Sequence, residues 1–213
     1  MAKVVLYISM SLDGYIAGAN EGIDNPMGDG GERLHDWLFK GPDAAVSGRK
    51  SSGKGLFLFN NESINGKVVQ EIFDSAGAFL MGRGWFDNGE KPWGEYPPFH
   101  VPVFVITHRM REKLVKGATS FTFITEGLAA AVKAAMAAAG NKNIITGGAD
   151  IPRQLLKAGL LDEMIITVVP VLLGRGLRLF DETLRKQIEL EKISVMEAPD
   201  VTHFRFRVIK NGK

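Results

Sequence analysis

Apolar positions along the chain fall into short blocks separated by turn residues. Residues 4–9 are almost continuously apolar and run into Ser11-Leu12-Asp13-Gly14, the pattern of a strand buried on both faces. Further strand blocks lie at 79–82, 101–107, 121–125, 143–146 and 163–169, with β-branched residues prominent in 101–107. Helical stretches are predicted at 32–39, 67–76, 127–139 and 152–158. In 127–139 the bulky residues Leu128, Val132 and Met136 recur every fourth position, alanines fill most of the rest, and Gly140 follows. Pro152 stands in the first turn of the last stretch and Gly159 just beyond it. Residues 20–31 are loop by composition. Residues 47–67 begin rich in glycine and serine and read as a long mobile surface loop, a candidate lid.

Strands that alternate with helices pair in parallel through crossovers. The last two strands, near 188–196 and 203–209, are joined only by the turn at Ala198-Pro199-Asp200 and are therefore antiparallel. The pattern predicts an α/β fold: a three-layer α/β/α domain with a mixed central sheet and an antiparallel C-terminal hairpin. The 213 residues hold no repeat and no dividing linker, so a single domain over 1–213 is expected.

Composition narrows the function. With 45% hydrophobic and 23% charged residues the chain is an ordinary globular one, which excludes a disordered or fibrous protein. Cysteine is absent, which excludes disulfides, thiolate zinc sites and a cysteine nucleophile. His35, His100, His108 and His203 are scattered and form no metal-binding motif. A net charge of +2 is small for a nucleic-acid binder. The longest apolar stretch is broken by Lys133 and falls short of the roughly 18 residues of a membrane span. A soluble cytoplasmic protein acting on a small molecule is expected.

Three motifs fall at the carboxyl ends of strands, the edge where open α/β sheets bind ligands. Thr146-Gly147-Gly148-Ala149 sits between a buried strand and a helix start, where glycines admit close backbone approach and free N–H groups suit a phosphate. Met81-Gly82-Arg83-Gly84 adds a guanidinium. Thr107-His108-Arg109 adds hydroxyl, imidazole and guanidinium. Each alone is also compatible with a plain turn, and their coincidence favours a dinucleotide. Residues 48–55 nearly match a phosphate-binding P-loop, but Gly55 stands where a serine or threonine must hold magnesium. Gly174-Arg175-Gly176 reads as a turn. Among acidic residues, Asp36 beside Trp37 is the candidate proton donor, and Asp13 reads as a turn residue.

The segment Ser9-Met10-Ser11-Leu12-Asp13-Gly14-Tyr15-Ile16-Ala17 resembles the first strand of the riboflavin-biosynthesis reductase domain, which shares its fold with dihydrofolate reductase. Ile145-Thr146-Gly147-Gly148, the run from Leu155 to Glu163, and Pro170-Val171-Leu172-Leu173-Gly174 resemble its second half. The resemblance spans nearly the whole chain and is nearest to single-domain bacterial members. It implies a dihydrofolate reductase-like fold, an NADPH-dependent oxidoreductase, and a homodimer. It places Ser9 near the nicotinamide, Gly82 and Arg83 at the phosphates, and Thr107, His108 and Arg109 around the 2′-phosphate. Thr146, Gly147, Gly148 and Ala149 would cradle the pyrophosphate, with Tyr7 and Trp37 toward substrate. The chain departs from the family in two places: Tyr7 replaces a usual lysine, and Thr146 a usual glutamate before the glycine pair. Leu34 falls near the register of the acidic pterin-binding residue of dihydrofolate reductases, with Asp36 two positions on.

The expected activity is hydride transfer from NADPH to a small heterocyclic, carbonyl or imine substrate. The family's default is 5-amino-6-(5-phosphoribosylamino)uracil. A pterin reductase and a non-catalytic NADP-binding protein are the alternatives.

Overall fold

A computed structural model describes residues 2–49, 57–184 and 186–210. The chain forms β1 (Val4–Ser11), β2 (Tyr15–Ala17), a 3-10 turn (Gly31–His35), α1 (Asp36–Phe39), β3 (Val46–Arg49), β4 (Phe57–Phe59), α2 (Ile64–Ser75), β5 (Ala76–Gly82) and α3 (Arg83–Trp93). It continues through β6 (Pro102–Ile106), β7 (Leu114–Lys116), β8 (Thr119–Ile124), α4 (Leu128–Ala139), β9 (Asn143–Thr146), α5 (Asp150–Lys157), β10 (Glu163–Val169), β11 (Leu177–Arg178), β12 (Leu190–Glu197) and β13 (Thr202–Val208).

Nine strands make one mixed sheet in the order β12-β13-β10-β1-β9-β5-β6-β8-β7. The six from β10 to β8 run parallel, β13 pairs antiparallel with β10 and β12, and β7 pairs antiparallel with β8. The crossover rule and the short C-terminal turn thus produce the expected architecture. Both faces are covered, so successive strand residues enter different cores. Val4, Leu6, Ala78, Leu80 and Ile144 pack with Ala131, Ala135 and Leu155 from α4 and α5. Val5, Phe79, Met81 and Ile145 pack with Val68, Ile72 and Phe86 from α2 and α3. A third cluster joins Leu34, Trp37, Val69, Val169 and Val201.

Several details depart from the sequence expectation. The 47–67 stretch is not one long loop among its described residues: it contains the β3–β4 hairpin and the start of α2. The helix expected from 67 begins at Ile64, because the Ser63 hydroxyl accepts from the Gly66 N–H at 2.8 Å and caps it. Residues 83–93, for which the sequence pattern predicted no element, form α3 despite Gly84, Gly89 and Pro92. Packing outweighs propensity here: Phe86 is fully buried, with its ring 5.2 Å from Phe121 and 5.1 Å from Phe123. The short edge strand β7 was not foreshadowed. The near P-loop lies outside the described residues beyond Arg49.

Two polar clusters fix the C-terminal strands against the rest. Glu163 is buried, with Arg205 Nη2 at 2.9 Å and Lys3 Nζ at 2.5 Å. Burial pushes its carboxyl up, but hydrogen bonds from Lys3 and Arg205 outweigh that and hold it below the usual range. His203 is also buried. Its Nδ1 lies 2.8 Å from Thr167 Oγ1 and its Nε2 lies 2.8 Å from Asn65 Oδ1. Asn65 Nδ2 donates to Asp43 O and Asp200 Oδ1, so its Oδ1 is the acceptor for a His203 Nε2–H. Asp13 joins the first motif to a later one: Leu173 N and Gly174 N donate to its carboxylate at 3.1 and 2.7 Å.

Burial lowers the His203 pKa from 6.5 to about 4. As pH falls, the unfolded chain therefore takes up this proton first. The contribution is fully present above pH 6.5 and is lost as pH drops toward 4. At 1.36 kcal/mol per unit the loss amounts to about 3 kcal/mol. Urea unfolding at stepped pH should show this decline, and His203→Gln should flatten the part of the slope between 6.5 and 4.

Candidate active site

β1 pairs with β9 only from Val4 to Leu6, while it stays paired with β10 as far as Ser11. Past Leu6 the strands part, because β9 ends at Thr146 and turns into α5. A cavity of about 800 Å³ opens at this divergence, along the carboxyl ends of β1, β9, β5 and β6. It brings together Tyr7 and Ser9 of β1, Gly82 at the end of β5 and Arg83 after it, Thr107, His108 and Arg109 after β6, and Gly147, Gly148 and Ala149 after β9. Three sequence motifs more than 60 residues apart at their extremes thus line one space.

Three helices begin at this space: α3 at Arg83, α4 at Leu128 and α5 at Asp150, and Arg83, Leu128 and Asp150 all line it. None of the three has a side-chain cap. In contrast, α2, whose start stands away from the cavity, is capped by Ser63. Uncapped first turns leave backbone N–H groups and the positive end of each helix dipole for an anion. Gly148 has φ 74°, and a Cβ there would meet nothing within 4 Å, so the turn faces open space. Gly147 is needed for the opposite reason: a Cβ would stand 2.9 Å from the Trp85 ring.

The basic groups are arranged around one carboxylate. Arg83 Nε donates to Asp87 Oδ1 at 2.6 Å, and Arg109 Nη2 donates to Asp87 Oδ2 at 3.3 Å. The Arg109 side chain is 72% exposed, so its pair with Asp87 is weak and open to exchange. Ser9 is buried, and its Oγ accepts from Trp37 Nε1 at 3.0 Å. Its hydroxyl proton is thereby left to point elsewhere.

Not every expected residue reaches the cavity. Thr146 is buried beneath it, and its Oγ1 has no partner. Trp37 does not line it: the indole is buried in the third cluster, edge-on to His203 at 5.2 Å, and acts on the site only through Ser9. Asp36 does not line it either, because its carboxylate turns to Lys40 at 2.5 Å, one helical turn on. The described residues of 47–67 contribute nothing to the lining. The loop that does border the cavity is 18–31, through Glu21, Pro26 and Met27. Asn88 of α3 donates to Glu21 Oε1 at 2.8 Å and ties that loop across. Partial burial raises the Glu21 carboxyl against the opposing effect of Asn88. An acid that keeps its proton to higher pH is suited to donate it. His35, Trp85 and Asn88 were also missed, because no local motif marks them. Among the described residues no group of three or more metal-binding side chains occurs, and no helix is long and apolar enough to cross a membrane.

Comparison with known proteins agrees with this architecture. The chain is 28% identical over 183 residues to the Bacillus subtilis protein YwjB, itself uncharacterised, covering 84% of this chain and 83% of that one. A putative riboflavin biosynthesis protein from Shewanella sp. PV-4 superposes with a TM-score of 0.66 at 23% identity, over 99% of this chain and all of the other. A dihydrofolate reductase from Enterococcus faecalis, complexed with NADP(H), superposes with a TM-score of 0.54 at 11% identity, over 98% and 97% of the two chains. The RibD C-terminal domain model matches residues 2–204, and the chain belongs to that family.

Proposed function

We propose that this protein is an NADPH-dependent reductase acting on a small heterocyclic, imine or carbonyl compound. The observation that carries the reading is the meeting of three uncapped helix starts and two arginines on one cavity. A dinucleotide with an additional phosphate is the ligand that matches several separated anion positions along one groove. The NADP(H) bound in the fold-sharing Enterococcus dihydrofolate reductase supports the same choice.

In this reading Gly147, Gly148 and Ala149 at the start of α5 hold the pyrophosphate. Arg83 and Gly82 lie beside it, and Thr107, His108 and Arg109 hold the 2′-phosphate. Ser9 faces the nicotinamide. The bound cofactor supplies hydride to the carbon of a C=N or C=O group, whose heteroatom then takes a proton. The chain's own contribution is alignment on β1 and exclusion of water by the 18–31 loop. The reductase resembles the 5-amino-6-(5-phosphoribosylamino)uracil reductase of riboflavin biosynthesis in this cofactor half.

A homodimer is the assembly we infer. The edge strand β12 leaves Leu190, Ile193 and Val195 partly exposed, beside Ile209, an apolar strip that a second copy would cover. Light scattering should give twice the chain mass for the wild type and the monomer mass for Val195→Lys; a wild-type monomer would overturn this.

Asp87 gives the cofactor site a specific test. A dianionic phosphate must displace this carboxylate from Arg109, whereas NADH makes no such demand. In a titration followed by nicotinamide fluorescence, NADPH should bind more tightly than NADH. Arg109→Ala should weaken NADPH about tenfold, or ~1.4 kcal/mol, and leave NADH unchanged. Asp87→Ala should tighten NADPH by about threefold, again without effect on NADH. Absence of binding by either nucleotide at millimolar concentration would sink the reductase reading.

A further inference from the structure

The part of the cavity away from the arginines has different chemistry. Phe73, Phe79, Trp85, Trp93 and Phe99 line it, with ring centroids of Phe79 and Phe99 4.8 Å apart and of Trp93 and Phe99 5.0 Å apart. Tyr7 belongs to both this aromatic cluster and the one around Leu34 and Trp37. Two polar atoms on cavity-lining residues, Tyr7 Oη and His35 Nδ1, are shielded from solvent and have no hydrogen-bond partner. Buried polar atoms are seldom left so, and a pair of them on one cavity points to a ligand that completes them. Burial pushes the His35 pKa down, against a backbone hydrogen bond at Gly31 and the charge of Asp36, and pushes the Tyr7 pKa up, so the neutral form of each is favoured. A neutral imidazole nitrogen and a phenol hydroxyl between them offer one donor and one acceptor.

The cations that line the cavity are already committed. Arg83 and Arg109 share Asp87. Arg153 donates to the carbonyls of Leu179 and Arg178 and pairs with Asp181 at 2.5 Å. Once a dinucleotide takes the first two, Arg153 is the remaining lining arginine or lysine among the described residues, and it is half-buried and held by those three partners.

We infer that the substrate is an uncharged planar heterocycle without a phosphate, stacked among the aromatic side chains with an amide-like edge on Tyr7 Oη and His35 Nδ1. The inference rests on the reductase reading above and narrows its substrate class. It separates this chain from phosphosugar reduction.

The test uses a matched pair of probes, 5-amino-6-ribosylaminouracil and its 5′-phosphate, titrated by calorimetry into protein saturated with NADP⁺. Saturation with NADP⁺ is established first, so failure at that stage counts against the reductase reading and not against this one. The unphosphorylated probe should bind at least as tightly as its phosphate. Tyr7→Phe, which keeps the ring, should weaken that probe by about tenfold, the effect expected when a built hydrogen bond is lost. It should leave NADP⁺ affinity unchanged and the melting temperature unchanged or higher, since it removes a buried atom without a partner. His35→Ala should weaken the same probe while leaving NADP⁺ binding intact. A phosphorylated probe that binds about tenfold more tightly, binding of neither probe, or a Tyr7→Phe variant with unaltered affinity would each overturn the inference.

Discussion

The parallel pairing of β1 between β9 and β10 is the constraint from which the rest follows. A parallel strand needs a crossover to its neighbour, and each crossover here except that from β6 to β8, which carries β7, places a helix on one face of the sheet. All six parallel strands therefore end on one edge, and three of the helices start there. The early end of β9 at Thr146 releases β1 from one neighbour after Leu6. The cavity is the space so opened. The part of it where α3, α4 and α5 begin needs no long-range design beyond this to favour an anion, because helix starts left uncapped are positive by construction.

The stability of the frame and the chemistry of the site are kept apart in the molecule. His203 and Glu163 are buried polar groups with full sets of partners, and they tie β10 and β13 together and to α2 and the N-terminal strand. Tyr7, His35 and Thr146 are polar groups whose buried atoms lack partners, and all lie at or just beneath the cavity. Among the described residues the fourth such atom, on Asp43, lies elsewhere. Satisfied networks rigidify a fold, while unsatisfied ones cost stability and persist where a ligand answers them. The link between the two is Trp37, which packs on His203 and donates to Ser9.

Asp87 shows how a single carboxylate can organise a basic site. It holds Arg83 and Arg109 toward one another, and in the proposed reading an incoming phosphate must displace it from Arg109. Because Arg109 is largely exposed, its pair with Asp87 is weak and open to exchange.

The sequence by itself determined eight of the nine strands of the main sheet, four of the helices, the parallel run of the early strands with the antiparallel C-terminal pair, and the three strand-end motifs. Each of these depends on nearby residues: apolar blocks, the length of connections, and glycines at turns. It did not reveal α3, since Gly84, Gly89 and Pro92 oppose a helix locally and only the burial of Phe86 among Phe121 and Phe123 overrides them. It also named Asp36 and Trp37 for the site, where the tertiary structure turns one to Lys40 and sinks the other into the core. The aromatic wall, the Asp87 pairing and the unpartnered atoms of Tyr7 and His35 were decided only by folding. They bring together residues far apart in the chain, and which polar atom finds a partner is fixed by packing in three dimensions, which no local pattern encodes.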